Sequence, residues 1–167
     1  MILSERRRSL LVLNGVGLLV SSAASGWLYF FQVLGEIDLW PFIRDVDVQV
    51  PGESRAWNMA HLEGITNGLL LMALAAVAPY LKLSRRLNTW LFYSSLTFAW
   101  LFTLPAIANA WFGTRGLEFG GGRFGPSLAN DVIFLSGWPA MIGVHIAFAL
   151  LVYGAWSHYR SLPDDAG

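Results

Sequence analysis

The sequence predicts an all-α integral membrane protein, a bundle of four transmembrane helices with both termini in the cytoplasm. Three observations point there. Four stretches, residues 9–34, 57–81, 89–112 and 132–153, are apolar over 22 to 26 residues, and a bilayer core needs about 20 such residues as helix. The first and third stretches hold no Asp, Glu, Lys, Arg or His; the second carries only His61 and Glu63, and the fourth only His145. A helix lying on a soluble core would show charges at helical spacing along one face.

The basic residues supply the third observation. Arg6, Arg7 and Arg8 precede the first stretch, Lys82, Arg85 and Arg86 fill the second turn, and Arg160 follows the fourth. The segments 35–56 and 113–131 hold only Arg44, Arg55, Arg115 and Arg123 as basic residues, beside acidic ones that include Glu36, Asp38, Asp45, Asp47, Glu53 and Glu118. Alternation with this bias places both termini inside and those two loops outside. The first stretch resembles a signal sequence in its triple arginine and Ala23-Ala24-Ser25. However, its apolar run continues through Trp27, Tyr29, Phe30 and Phe31, longer than a signal core, so a retained helix is expected.

Composition agrees. The 167 residues are 55% hydrophobic and 13% charged, where soluble domains average about a quarter charged. Such a chain is not disordered. Eleven basic against eleven acidic residues leave no excess for pairing with nucleic acid. With no cysteine, disulfides, zinc thiolates and iron–sulfur clusters are excluded. The chain forms one membrane domain without internal repeats. Trp57 and Trp111 near the outer boundary, and Trp90 and Trp156 near the inner one, read as an aromatic belt. Gly64-x-x-x-Gly68, with Gly15, Gly17, Ser21, Ser22 and Gly26, reads as small residues that let helices approach.

Ionisable groups inside a bilayer need a partner or a role. His61, Glu63, Thr66 and Asn67 form the one dense polar patch in any of the stretches. His61 and Asn67 stand about 120° apart around a helix axis and so point at different neighbours, whereas Glu63 and Asn67 share a face. Each residue has a structural reading. His61 is an interfacial histidine bonded to a carbonyl or carboxylate, or a ligand. Asn67 is an interhelical hydrogen-bonding residue, or part of a site. Glu63 is an outer-surface charge, or a carboxylate partnered by Arg55, Arg115 or Arg123. His145 defaults to a hydrogen-bonded packing role. Measured from the outer ends of the apolar stretches, His145 lies about 20 Å deep and His61 about 6 Å. The two are therefore not axial ligands of one iron, and a haem on His61 would keep its far position open unless a non-histidine residue filled it. An open site suits ligand binding or catalysis better than electron transfer. No Gly-x-Ser-x-Gly elbow, His-Glu-x-x-His or phosphate loop is present.

Two blocks carry a resemblance. Trp57-x-x-Ala60-His61 followed by Asn67-Gly68, and the loop Arg115-Gly116-Leu117-x-Phe119-Gly120-x-x-x-Phe124-Gly125-Pro126, are similar to the styrene oxide isomerase family. Length and topology match over essentially the whole chain. The resemblance implies a bacterial inner-membrane homotrimer that binds haem b between subunits. It implies that His61 ligates the iron and that Asn67 lines the pocket of a small apolar substrate reached through the bilayer. A ferric porphyrin with an open position is a Lewis acid toward an epoxide oxygen. An aryl-substituted carbon carries the resulting charge, a hydride shifts, and an aldehyde forms without net redox change. A dry pocket keeps water from trapping the cation as a diol.

The chain also departs from that pattern. An aspartate and a tyrosine in the family's third helix align with Phe98 and Ala106, and Glu63 stands where a small residue is expected. Pro105 is expected to kink the third helix. Glu63, one turn from Asn67, is the candidate replacement carboxylate, and Arg55, Arg115 and Arg123 are candidates for the haem propionates. The expected function is thus a haem b-dependent membrane isomerase turning an apolar epoxide into an aldehyde. Two alternatives stay open: a non-enzymatic haem protein that senses or carries a gas or haem, and a cofactor-free scaffold subunit.

Overall fold

The computed structural model describes residues 3–163. Four long helices dominate: α1 (Glu5–Leu34), α2 (Ser54–Val77), α3 (Arg85–Phe112) and α4 (Leu128–Tyr159). All four are long and apolar enough to cross a membrane. A short antiparallel hairpin, β1 (Glu36–Leu39) and β2 (Ile43–Asp47), follows α1, with Glu36 opposite Asp47 and Leu39 opposite Ile43. Single 3-10 turns occupy Ala78–Tyr80 and Gly122–Phe124.

The helices overrun the apolar stretches, chiefly at their N-termini and at the C-terminus of α4, because capping chemistry rather than hydropathy sets where a helix begins and ends. Ser4, Ser84 and Ser127 sit in extended backbone, and their side chains accept from the amides of Arg7, Leu87 and Asn130. Each thereby satisfies one of the orphan N–H groups of a first turn. Gly35 and Gly113 end α1 and α3 in the left-handed conformation, at φ 77° and 64°, which a residue without Cβ adopts freely. At 24 to 32 residues the helices run about 36–48 Å. Their ends therefore pass the hydrocarbon into the headgroup layers.

The helices stand in chain order. α1 packs on α2, α2 on α3 and α3 on α4, with only a lesser contact of α1 on α3 and no sustained one from α4 to α1 or α2. At one end, the backbone N–H of Lys82 donates to Gly154 O at 3.0 Å. There too the Arg7 guanidinium donates to Thr89 at 2.9 Å and lies 5.5 Å from the centre of the Phe92 ring. The hairpin and the 113–127 segment gather at the opposite end. The main core joins Leu11 and Leu18 of α1, Leu71 and Leu74 of α2, Leu91 and Phe98 of α3, and Ala147 of α4.

The small-residue seam works as its spacing predicts. A Cβ on Gly64 would fall 2.6 Å from Ser22 Cβ, and one on Gly68 would fall 2.8 Å from Gly15 O. α1 and α2 therefore cross with backbones nearly touching. Trp57, in contrast, is not a belt residue. It is 0% exposed, donates through Nε1 to Pro51 O at 2.7 Å, and meets Trp111 edge-on at 6.2 Å. The 35–56 segment folds back over it and removes it from the interface. Trp90, Trp111 and Trp156 do keep half of their surface exposed.

Candidate functional site

The polar patch of α2 divides between two neighbours. Ser22, on α1, faces His61 at the point where Gly26 leaves room for the ring. A Cβ on Gly26 would lie 2.8 Å from His61 Nδ1. Nδ1 is 2.9 Å from the Ser22 carbonyl, while the Ser22 hydroxyl donates to the His61 carbonyl at 2.7 Å. A carbonyl only accepts, so Nδ1 carries the proton and Nε2 keeps its lone pair. Nε2 makes no hydrogen bond among the described residues. A metal-ligating histidine ordinarily shows this arrangement, its second ring nitrogen donating to a backbone carbonyl.

Asn67 faces the other way. It is 7% exposed, and its amide Nδ2 donates to Glu63 Oε2 at 3.0 Å and to Thr103 Oγ1 of α3 at 3.1 Å. The Thr103 hydroxyl is itself committed as a donor to Ala99 O at 2.8 Å, which leaves its lone pairs to receive Asn67. Both amide hydrogens are thus engaged and the side-chain carbonyl is left over. Thr103, 0% exposed, went unremarked in the sequence. A threonine thirty-six residues away in an apolar helix carries no local signal, and only the packing of α3 on α2 brings it to Asn67.

A cavity of about 630 Å³ opens between α2, α3, α4 and the segment 114–117. Its apolar wall includes Met59, Phe102, Ala106, Phe134, Trp138 and Met141. Glu63 lines it, as do Arg55, Asn109, Thr114 and Arg115 from the loop end. Asn67 stands behind Glu63 and does not reach the wall. Leu101 and Pro105 are also on the wall. Because proline has no N–H, the Leu101 carbonyl lacks its usual helical donor there, although α3 continues through Pro105 to Phe112.

The remaining predicted residues spread out. Arg115 pairs with Glu53 rather than Glu63, and Arg123 is exposed on the 3-10 turn Gly122–Phe124, off the cavity wall. Phe98 is buried in the α3–α4 contact, beside Gly143 and 6.3 Å from the Phe148 ring. Ala106, in contrast, is on the cavity wall. His145 keeps the expected hydrogen bond but is not packed inside the chain. It is exposed on α4, its Nδ1 bonded to Met141 O at 2.7 Å, because among the described residues α4 packs at length only on α3. The carboxyl groups of Glu36, Asp38 and Asp45 come within 4.8 Å of one another on the hairpin, and none of them lines the cavity.

His61 and the cavity therefore occupy different faces of α2. Arg55, Met59 and Glu63 recur every fourth residue along the cavity face, and His61, two residues from Glu63, is about 200° away around the helix. One chain separates a ligand-like imidazole from a carboxyl-bearing apolar pocket.

A search of curated proteins finds no match to the chain. The sequence profile of the styrene oxide isomerase family, however, matches residues 7–156, a span running from the first turn of α1 to the last turn of α4 and taking in both His61 and the cavity. The chain belongs to the styrene oxide isomerase family.

Proposed function

We propose that this protein is a haem b-dependent membrane isomerase that converts an apolar epoxide to an aldehyde. Family membership supports the isomerase class. The observation that carries the haem assignment is the 2.9 Å approach of His61 Nδ1 to the Ser22 carbonyl. That contact sets the tautomer and orients the ring so that Nε2 is the ligand atom. His61 would ligate the haem iron in this reading, and the exposed apolar residues Trp27, Phe30 and Leu62 on the adjoining helices suit a porphyrin. When bound, the ferric porphyrin supplies Lewis acidity toward a substrate oxygen.

The chain's own residues do the rest. The apolar wall excludes water, so positive charge developing on a substrate carbon is not intercepted as a diol. Glu63 presents a carboxyl group to that charge, and Asn67, anchored on Thr103, holds the carboxyl in place. Since His61 and the cavity lie on different faces of α2, a complete site needs His61 from one subunit and the cavity of the next. This supports a homotrimer with haem between subunits, in which Arg55 and Arg115 at the cavity mouth would hold the propionates. The substrate arrives through the lipid, and both termini are cytoplasmic.

The test is direct. Protein purified from haem-replete cells is expected to show a Soret band and to convert styrene oxide to phenylacetaldehyde. His61→Ala is expected to lose both. Colourless wild-type protein, or full haem retention by His61→Ala, overturns the assignment.

A further inference from the structure

The end of the bundle opposite the hairpin carries charge that the chain does not neutralise. Arg6, Arg7 and Arg8 open α1, and Lys82, Arg85 and Arg86 lead into α3. Packing brings the two groups together. Leu3 is buried in one cluster with Leu81 and Leu83, and Arg7 crosses from α1 to α3, donating to Thr89 at 2.9 Å beside the Phe92 ring. Glu5 is the one acidic residue at this end among the described residues, and it makes no ion pair there. Asp164 and Asp165 lie outside the described residues.

Three features give this charge a shape. Arg8 is partly buried, and its Nε finds no hydrogen-bond partner among the described residues. A guanidinium with an unsatisfied inner donor is stabilised by an oxygen ligand that its fork can turn to meet. α3 starts with Arg85 and Arg86 and has no acidic residue in its first turn, so two cations stand on the positive end of a helix dipole, where an anion is the stabilising partner. One and two turns after Arg86, Trp90 and Tyr93 keep 51% and 59% of their surface exposed on the same face of α3. A second copy of this chain does not meet the charge, because its corresponding end carries the same excess.

We propose that this end is a docking surface for an anionic phospholipid of the adjoining leaflet, with Arg8, Arg85 and Arg86 on the headgroup phosphate and Trp90 and Tyr93 along the upper acyl chains. Arginine suits the task, because its planar fork takes two phosphate oxygens at once and is weakly hydrated. Basic pockets between transmembrane helices take anionic headgroups in this way. The lipid ties together α1 and α3, whose own contact is slight. The proposal is independent of the isomerase reading.

The test uses full-length protein, delipidated in detergent and re-exposed to equimolar phosphatidylglycerol and phosphatidylcholine, with the retained lipid counted by mass spectrometry. Wild type is expected to retain phosphatidylglycerol about tenfold or more over phosphatidylcholine, and the ratio to fall roughly fivefold in Arg8→Gln and again in Arg86→Gln. Arg44→Gln, at the hairpin end, is expected to leave it unchanged. Phosphatidylglycerol brominated on its acyl chains is expected to quench wild-type fluorescence more than brominated phosphatidylcholine does, an excess that Trp90→Phe removes. Equal retention of the two lipids, a fall in Arg44→Gln as large as in Arg8→Gln, or an excess quench unmoved by Trp90→Phe overturns the proposal. Inorganic phosphate that displaces the lipid at an ionic strength where chloride does not marks a free-anion site instead. Enrichment that appears only in Asp164→Asn/Asp165→Asn assigns the charge to the chain's own carboxylates, and either of these results also overturns the lipid assignment.

Discussion

His61 Nδ1 donates to the backbone carbonyl of Ser22 at 2.9 Å, across the close crossing of α1 and α2. Because the acceptor belongs to the backbone, no side-chain substitution at position 22 removes it. The helix crossing itself holds the imidazole.

Gly26→Val is therefore expected to expel the ring, since even a Cβ there would lie 2.8 Å from Nδ1. Haem content, read as a pyridine haemochromogen per protein, should drop several-fold. Ser22→Ala keeps the carbonyl and loses only the hydroxyl bond to His61 O, which costs about 0.5–1.5 kcal/mol of stability; its haem content should stay near that of wild type. Equal haem loss in the two variants would contradict this account.

Thr103→Val takes away the acceptor that anchors Asn67 while preserving shape. Stability is expected to fall by about 1–3 kcal/mol, because one amide hydrogen is left buried without a partner. The turnover number should fall while the haem spectrum stays fixed, since Asn67 and His61 face different neighbours. Thr103→Ser, which retains the hydroxyl, should restore much of the rate; if it does not, the anchoring role is wrong.

Glu63→Gln retains an acceptor for Asn67 but cannot carry negative charge. If the carboxyl group stabilises charge developing in the cavity, kcat should decline roughly tenfold or more, with little change in melting temperature. Product formation followed by gas chromatography decides it, and an unchanged rate would reduce Glu63 to a wall residue.

Gly64→Val overpacks the α1–α2 seam, where a Cβ already falls 2.6 Å from Ser22 Cβ. Thermal unfolding in detergent should report about 1–3 kcal/mol of destabilisation. Gly137→Ala, whose added carbon meets nothing within 4 Å, should leave the melting temperature near that of wild type and serves as the reference glycine substitution.

Much of the architecture was legible in the residue order. Four long apolar runs, the Gly64–Gly68 spacing and the isolated polar patch at 61–67 each carry a local signature. A helix displays its periodicity, and a bilayer its thickness, within twenty-odd consecutive residues. The true helix starts at Glu5, Arg85 and Leu128 were less visible, because the serine caps lie in charged or loop-like surroundings.

The sequence by itself determined the solvent, the number of helices, the small residues at which helices approach and the presence of a histidine beside an asparagine and a glutamate. Only the tertiary structure decided that Trp57 is buried beneath Pro51, that Arg115 pairs with Glu53, that Thr103 anchors Asn67, and that Glu63 alone of the α2 polar patch reaches the cavity. The reason is physical. Hydropathy and helical spacing are properties of neighbours along the chain, whereas a buried hydrogen bond and a cavity wall are made by residues tens of positions apart, brought together only when the helices pack.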